Sequence, residues 1–152
     1  MMKLQEMDLT DFKKYLSTAA QNYAKEKVSV GTWLPKDALE KAQTEFKNLL
    51  PNGLKTPENY LFNIINEQKK IGFVWIARYQ DGESAFIYDF EIYTAFQNQG
   101  LGTQAMQLIF VKVKELGFKT LNLHVFGNNE RAAHVYKKCG FYITDISMQR
   151  DL

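Results

Sequence analysis

Cysteine is almost missing from this 152-residue chain: Cys139 stands alone, so no intrachain disulfide can staple the fold. A lone thiol suits a reducing compartment, and the expected location is the cytoplasm. Long apolar runs are missing too. No stretch reaches about 18 residues, so no segment is expected to cross a bilayer. The opening Met1-Met2-Lys3-Leu4-Gln5-Glu6 lacks the apolar core of a secretion signal. Charge of one sign is scarce: 19 Lys and Arg face 17 Asp and Glu, a net of +2. A nucleic-acid groove or an anionic membrane needs a basic run, so neither is an expected partner. Internal repeats and low-complexity tracts are absent. What is plentiful is core material, 45% hydrophobic and 14% aromatic. That is enough to fill one domain spanning residues 1–152.

Periodicity orders the elements. Residues 1 to 7 allow a short first strand. Asp8 fits a helix N-cap with Asp11 in the first turn, and Phe12, Leu16, Ala19, Ala20 and Tyr23 recur at helical spacing. Pro35 sits where a second helix begins. Leu39, Ala42, Phe46, Leu49 and Leu50 form its apolar stripe, and Pro51-Asn52-Gly53 ends it. Strands are expected over 60–66 and 71–79, with the polar turn Glu67-Gln68-Lys69-Lys70 between them. The hairpin signal Asp81-Gly82 sends a third central strand back over about 83–94.

A helix follows, with Met106, Ile109, Phe110, Val113 and Leu116 on one face and Gly117 at its close. Leu121, Leu123 and Val125 then alternate with Asn122, His124 and Phe126, as in a strand. Asn128 or Asn129 caps a last helix that ends at Lys137-Lys138-Cys139-Gly140, and 141–148 reads as a closing strand. The order β α α β β β α β α β predicts an α+β mixed sheet with helices on both faces. An antiparallel meander leads into one parallel βαβ step.

The turn Gln97-Asn98-Gln99-Gly100-Leu101-Gly102-Thr103 lies between the third central strand and its helix. Such a turn exposes backbone N–H groups at the positive end of a helix dipole, which suits a phosphate or pyrophosphate. Gly100 and Gly102 let that group approach the backbone. There is no Gly-Lys-Ser/Thr, so a nucleoside-triphosphate P-loop fails. A dinucleotide turn is disfavoured, because Thr103 and Ala105 stand where a third glycine is wanted.

Two motifs share the chain, Gln97-x-x-Gly100-x-Gly102 and Asn129-x-x-Ala132-x-x-Val135-Tyr136-x-x-x-Gly140-Phe141. Together they resemble the GNAT family of acetyl-CoA-dependent N-acetyltransferases, from about Ile71 onward. The tracts 88–93 and 123–126 look most like uncharacterised bacterial members of this length. The resemblance implies a GNAT-like sheet and acetyl-CoA as acyl donor, with no metal. By the same resemblance, backbone N–H groups of Gln97, Asn98, Gln99, Gly100, Leu101, Gly102 and Thr103 would bind the pyrophosphate. Ile92, Tyr93 and Thr94 would pair with the pantetheine as though it were another strand, and Asn129 would contact it. Tyr136 would lie near the sulfur as general acid.

Acetyl transfer to an amine also needs a base and a polarised carbonyl. A backbone N–H at a bulged end of the third central strand could polarise the carbonyl. For the base, strand alternation puts Asp89 and Glu91 on one face, opposite Tyr88, Phe90 and Ile92. Repulsion between the two acids would raise one pKa. Glu91 and His124 are the leading choices, Glu83 a weaker one, and a water chain is a further route. Trp33 could border the acceptor pocket, and Cys139 reads as a packing residue. The expected reaction is direct transfer from acetyl-CoA, in a ternary complex, to a small-molecule amine or a protein N-terminus or lysine. A homodimer is open. The rival readings are a non-catalytic acetyl-CoA-binding sensor and a dinucleotide-binding oxidoreductase.

Overall fold

The structure, a computed structural model, describes residues 1–80 and 82–152. Asp81, half of the hairpin signal, lies outside the described residues. The elements run β1 (Met2–Glu6), α1 (Leu9–Ser29), α2 (Pro35–Leu49), β2 (Asn59–Asn66), β3 (Lys69–Arg78), β4 (Ser84–Ile92), α3 (Leu101–Glu115), β5 (Thr120–Leu123) and α4 (Glu130–Lys138). The sheet order is β1-β2-β3-β4-β5. The first four strands pair antiparallel, and β4 pairs parallel with β5. This is the α+β mixed sheet that the periodicity predicts.

Local chemistry explains the boundaries. Asp8 caps α1, its carboxylate accepting from the Asp11 N–H at 2.8 Å while Asp11 accepts from the Asp8 N–H. Asp11 also takes bonds from Lys70 and Asn63, which ties the start of α1 to β3 and β2. Pro35 occupies the first turn of α2, where its missing N–H costs nothing. The β2–β3 hairpin turns on Glu67 and Gln68, both at positive φ. The turn is therefore two residues long, and β3 begins at Lys69 rather than at Ile71.

Alternation divides the sheet between two cores. Phe73 and Trp75 join Phe12, Tyr15 and Ala19 of α1 on one face. Phe62, Val74, Ile76 and Ile87 meet Met106, Ile109 and Val113 of α3 on the other, with Tyr136 of α4 and Cys139 just past its end against them. In α2 only part of the expected stripe is covered: Ala42 is buried, while Leu39 and Leu49 are exposed.

Three other boundaries depart from the periodicity. β4 stops at Ile92, because Thr94–Phe96 turns as a 3-10 helix. β5 stops at Leu123, so His124, Val125 and Phe126 lie just beyond it. The closing strand over 141–148 does not form. Apolar alternation is present there, but the segment has no pairing neighbour among the described residues.

Gly72 is required where β3 meets the end of β4. It pairs with Ile92, and a Cβ there would sit 2.0 Å from the Glu91 carbonyl oxygen. Backbone cannot yield as a side chain can. Gly72→Ala is expected to cost about 1–3 kcal/mol and to lower Tm by about 3–10 °C. Thermal unfolding of the variant checks this, and a wild-type Tm would remove the close approach as a constraint.

Candidate active site

The parallel pairing of β4 and β5 is short. Ser84 to Ile87 pair with Thr120 to Leu123, and there the register ends. β4 runs on to Ile92 held only by β3, while the chain past Leu123 leaves the sheet. A cavity of about 830 Å³ opens at this end of the strands. Tyr88 to Glu91 of β4, Leu123 to Phe126, and Asn129 and Tyr136 of α4 wall one part of it. Tyr23, Glu26, Glu45 and Phe46 of the first two helices wall another. The C-terminal ends of strands are where open sheets hold ligands.

A bulge shapes the cavity floor. Trp75 pairs with Asp89 but Ile76 pairs with Ile87, so Tyr88 is an extra residue in β4. Simple alternation assigns Tyr88 to the face opposite Asp89. The bulge instead brings it over Trp75, stacked at 4.7 Å between ring centroids. Asp89 accepts a hydrogen bond from the Tyr15 hydroxyl at 2.7 Å.

The glycine turn lies past the end of β4. Gly100 caps α3 at φ 77°, and no side chain caps that helix. The Gln104 N–H bonds to the Gly100 carbonyl, which leaves the first-turn amides Leu101, Gly102 and Thr103 without an intrahelical acceptor. Asn98 also has positive φ, and its side chain accepts from Arg131 of α4. Gln97 turns its side chain back to donate to the Ile92 carbonyl at 2.7 Å. A Cβ on Gly102 would meet only Ile92, at an ordinary 3.8 Å, so the space before it is open.

The sequence model of the acetyltransferase (GNAT) family matches residues 15–141. The chain belongs to the GNAT acetyltransferase family. The activity class is therefore acyl-CoA-dependent N-acetyltransferase. YdgE of Bacillus subtilis (strain 168), an uncharacterized N-acetyltransferase, is 37% identical over 154 residues, covering 98% of this chain and 97% of its own. YycN of the same organism, likewise uncharacterized, is 37% identical over 152 residues with the same coverage. The YycN crystal structure matches with a TM-score of 0.95 at 36% identity, over 100% of this chain and 99% of that one. A protein of Clostridium acetobutylicum solved with acetyl-CoA shares the fold, with a TM-score of 0.61 at 18% identity, over 99% and 96%.

Within this GNAT fold the residues singled out by sequence fall into three groups. Glu91, His124, Asn129 and Tyr136 all line the cavity. Ile92 ends β4, but Tyr93 and Thr94 are not strand: the Tyr93 N–H is already given to the Ile71 carbonyl at 2.8 Å. Asn129 caps α4, its side-chain oxygen accepting from Ala132. Glu83 stands before the other end of β4, exposed and paired with Lys119 at 3.7 Å, away from the cavity. Trp33 stands behind the wall. It packs edge-on against Tyr23 and lies under the Lys27 ammonium at 5.4 Å.

Burial dominates the titration of the site. It raises Asp89 to about 6 from an ordinary 3.8; the Tyr15 bond opposes the rise, and Glu26 and Glu91 add to it. The repulsion expected between Asp89 and Glu91 is thus a minor cause, and the Glu91 rise itself comes from burial. Glu26 is raised by burial and then by Glu91. His124 is lowered by burial and by Lys27. Burial, with Asp89 next, pushes the Tyr136 hydroxyl up to about 12. Tyr15, Glu26 and Glu45 carry no sequence signal, since only the fold brings α1 and α2 to β4.

The raised Asp89 has a stability consequence. Between pH 4 and 6 the folded state binds more protons than the unfolded chain, so stability falls as pH rises through that window. Asp89→Asn removes the loss and keeps an acceptor for Tyr15. At pH 8 the variant is expected to be more stable by about 1–3 kcal/mol, with a shallower fall between pH 4 and 6, because Glu26 and Glu91 keep their own raised values. Melting curves across pH check it; a variant less stable at pH 8 would contradict the cause assigned.

Proposed function

We propose that this GNAT protein transfers the acetyl group of acetyl-CoA directly to a primary amine in a ternary complex. The observation that carries the proposal is the parting of β4 and β5 beside an uncapped, glycine-containing helix start. An extended pantetheine fits between the strands, with its pyrophosphate on the first-turn amides of α3. In this reading Ile92 and the backbone before it hold the pantetheine. Tyr93 and Thr94 border it, Asn129 contacts it, and Gln97 to Thr103 surround the phosphates. Arg131 adds a positive charge at the same turn.

Four carboxylates, Glu26, Glu45, Asp89 and Glu91, line the cavity. They favour an acceptor that arrives as an ammonium ion, whether a small amine, a protein N-terminus or a lysine. Asp89, near 6, accepts one proton from the ammonium and passes it to water. The amine nitrogen then forms the C–N bond as the C–S bond breaks, and its second proton ends on sulfur. Burial raises the Tyr136 hydroxyl to about 12, so it stands protonated beside the sulfur. It acts by donating a hydrogen bond to the departing sulfur. The unpaired backbone at the Tyr88 bulge polarises the carbonyl.

An amine screen by mass spectrometry, followed by pH–rate profiles, tests this. The rate is expected to rise with pH through about 6 in the wild type and in His124→Gln, and Asp89→Asn is expected to lose at least about tenfold in rate together with that rise. A rise that survives in Asp89→Asn but vanishes in Glu91→Gln or His124→Gln would move the base to that residue. Coenzyme binding without turnover on any amine would favour the sensor reading.

A further inference from the structure

Tyr15 is a core residue, 6% exposed, yet its hydroxyl touches the site by donating to the Asp89 carboxylate at 2.7 Å. α1 fixes where that hydroxyl stands. The Asp8 cap and the Asp11 bonds to Lys70 and Asn63 tie the start of the helix to the sheet. The ring is then held edge-on by Phe73 at 4.8 Å and by Phe46 at 6.5 Å. Thr18, Ala19 and Asn22 of the same helix line the cavity, and Tyr15 does not. It reaches Asp89 from outside the space that an acceptor fills.

Asp89 has little else to hold it as a carboxylate. Besides Tyr15 it takes a bond from the Phe90 N–H, and burial works against its charge. No Lys or Arg forms an ion pair with it among the described residues. Glu26 of α1 and Glu91 of its own strand repel its charge. β3 sets Trp75 opposite it, which does not titrate. From α4 it meets Tyr136, which burial keeps protonated. Glu45 of α2, Lys25 and Lys27 of α1, and His124 beyond β5 share the cavity without bonding to it. A buried carboxylate in such company depends on its donors.

We propose that Tyr15 is a positioning residue for acetyl transfer: its hydroxyl, delivered by α1, holds the Asp89 carboxylate in the orientation and charge state that receive the proton of the arriving ammonium. The inference rests on the assignment of Asp89 as the base. The hydrogen bond runs one way. Burial, and then Asp89, raise the Tyr15 hydroxyl well above its ordinary value, so it keeps its proton throughout. The ammonium N–H bond breaks, the proton joins an Asp89 oxygen, and it leaves from there to water. A donor binds an ionised acceptor about twice as strongly as a neutral one. The Tyr15 bond therefore favours the carboxylate over the acid and helps return Asp89 to it after each proton.

The test is Tyr15→Phe, beside Leu61→Ala and Asp89→Asn, read in two ways on the full chain. Carbon-13 spectra of aspartate-labelled protein follow the Asp89 carboxyl through pH without any acceptor, and Asp89→Asn identifies its signal. Rates are measured against pH with acetyl-CoA and the amine that the screen selects. Tyr15→Phe keeps the ring. It is expected to raise the Asp89 midpoint by about one pH unit and to move the acid limb of the rate with it. The rate at pH 6 then falls about fivefold and recovers by pH 8. Leu61 belongs to the same core cluster and does not line the cavity. Leu61→Ala is expected to lower Tm and to leave both midpoints in place, which separates loss of the hydroxyl from loss of packing. An unmoved Asp89 midpoint in Tyr15→Phe would overturn the proposal, and so would an equal shift in Leu61→Ala. A limb that Asp89→Asn abolishes but Tyr15→Phe leaves in place would remove Tyr15 alone and keep Asp89 as the base. A limb that survives Asp89→Asn would remove the base and the role of Tyr15 together.

Discussion

Tyr136→Phe is expected to lower kcat by about a hundredfold while the Kd for acetyl-CoA stays within about twofold. The variant removes one oxygen. The ring keeps its place against the core beside Cys139 and its edge-on contact with Phe141 at 5.8 Å, so the shape of the site is unchanged. What is lost is a donor that stays protonated across the working range, because burial has raised it to about 12. A hydrogen bond to sulfur strengthens as charge builds on the leaving thiolate, so its absence is felt in kcat and hardly in binding. Single-turnover kinetics with binding measured in parallel make the separation. Wild-type turnover in Tyr136→Phe would take the residue out of the mechanism. An equal loss in binding would make it a coenzyme contact instead.

Gly102→Val is expected to have the opposite signature, with acetyl-CoA affinity falling ten- to a hundredfold and the fold intact. Charge-assisted hydrogen bonds from first-turn amides are each worth about 1.5–3 kcal/mol, and a branched side chain there keeps the phosphate from reaching them. The fold has no objection to a side chain, since a Cβ at Gly102 meets only Ile92 at 3.8 Å. Gly100 would be a poorer test: at φ 77° any replacement strains the backbone and confuses stability with binding.

The sequence carried much of this fold because the signals were local. Apolar spacing located α1, α2 and α3, the Asp8 cap stands where the helix signal put it, and of the two candidates Asn128 and Asn129 it is Asn129 that caps α4. Gly100 and Gly102 marked the turn for the same reason. What the sequence withheld depends on pairing. The Tyr88 bulge is a relation between β3 and β4, and it overrides the alternation that set Tyr88 opposite Asp89. Tyr15 reaches Asp89 across 74 residues of sequence, and Glu26 and Glu45 reach the cavity only through helix packing. The expected closing strand is an instructive case. Its alternation is real, but a strand needs a neighbour, and the segment pairs with no strand among the described residues.

The central claim is that the turn before α3 and the gap beside β4 hold acetyl-CoA. The most direct measurement is the melting temperature of the wild type and of Gly102→Val with acetyl-CoA, with NAD and with no ligand. At about a hundred times Kd, binding stabilises by roughly 2.7 kcal/mol, a rise of about 5–10 °C for a chain of this size. The wild type is expected to show that rise with acetyl-CoA and none with NAD, and the variant to lose most of it. A wild type that does not respond to acetyl-CoA, or a variant that responds as fully, would contradict the placement of the coenzyme.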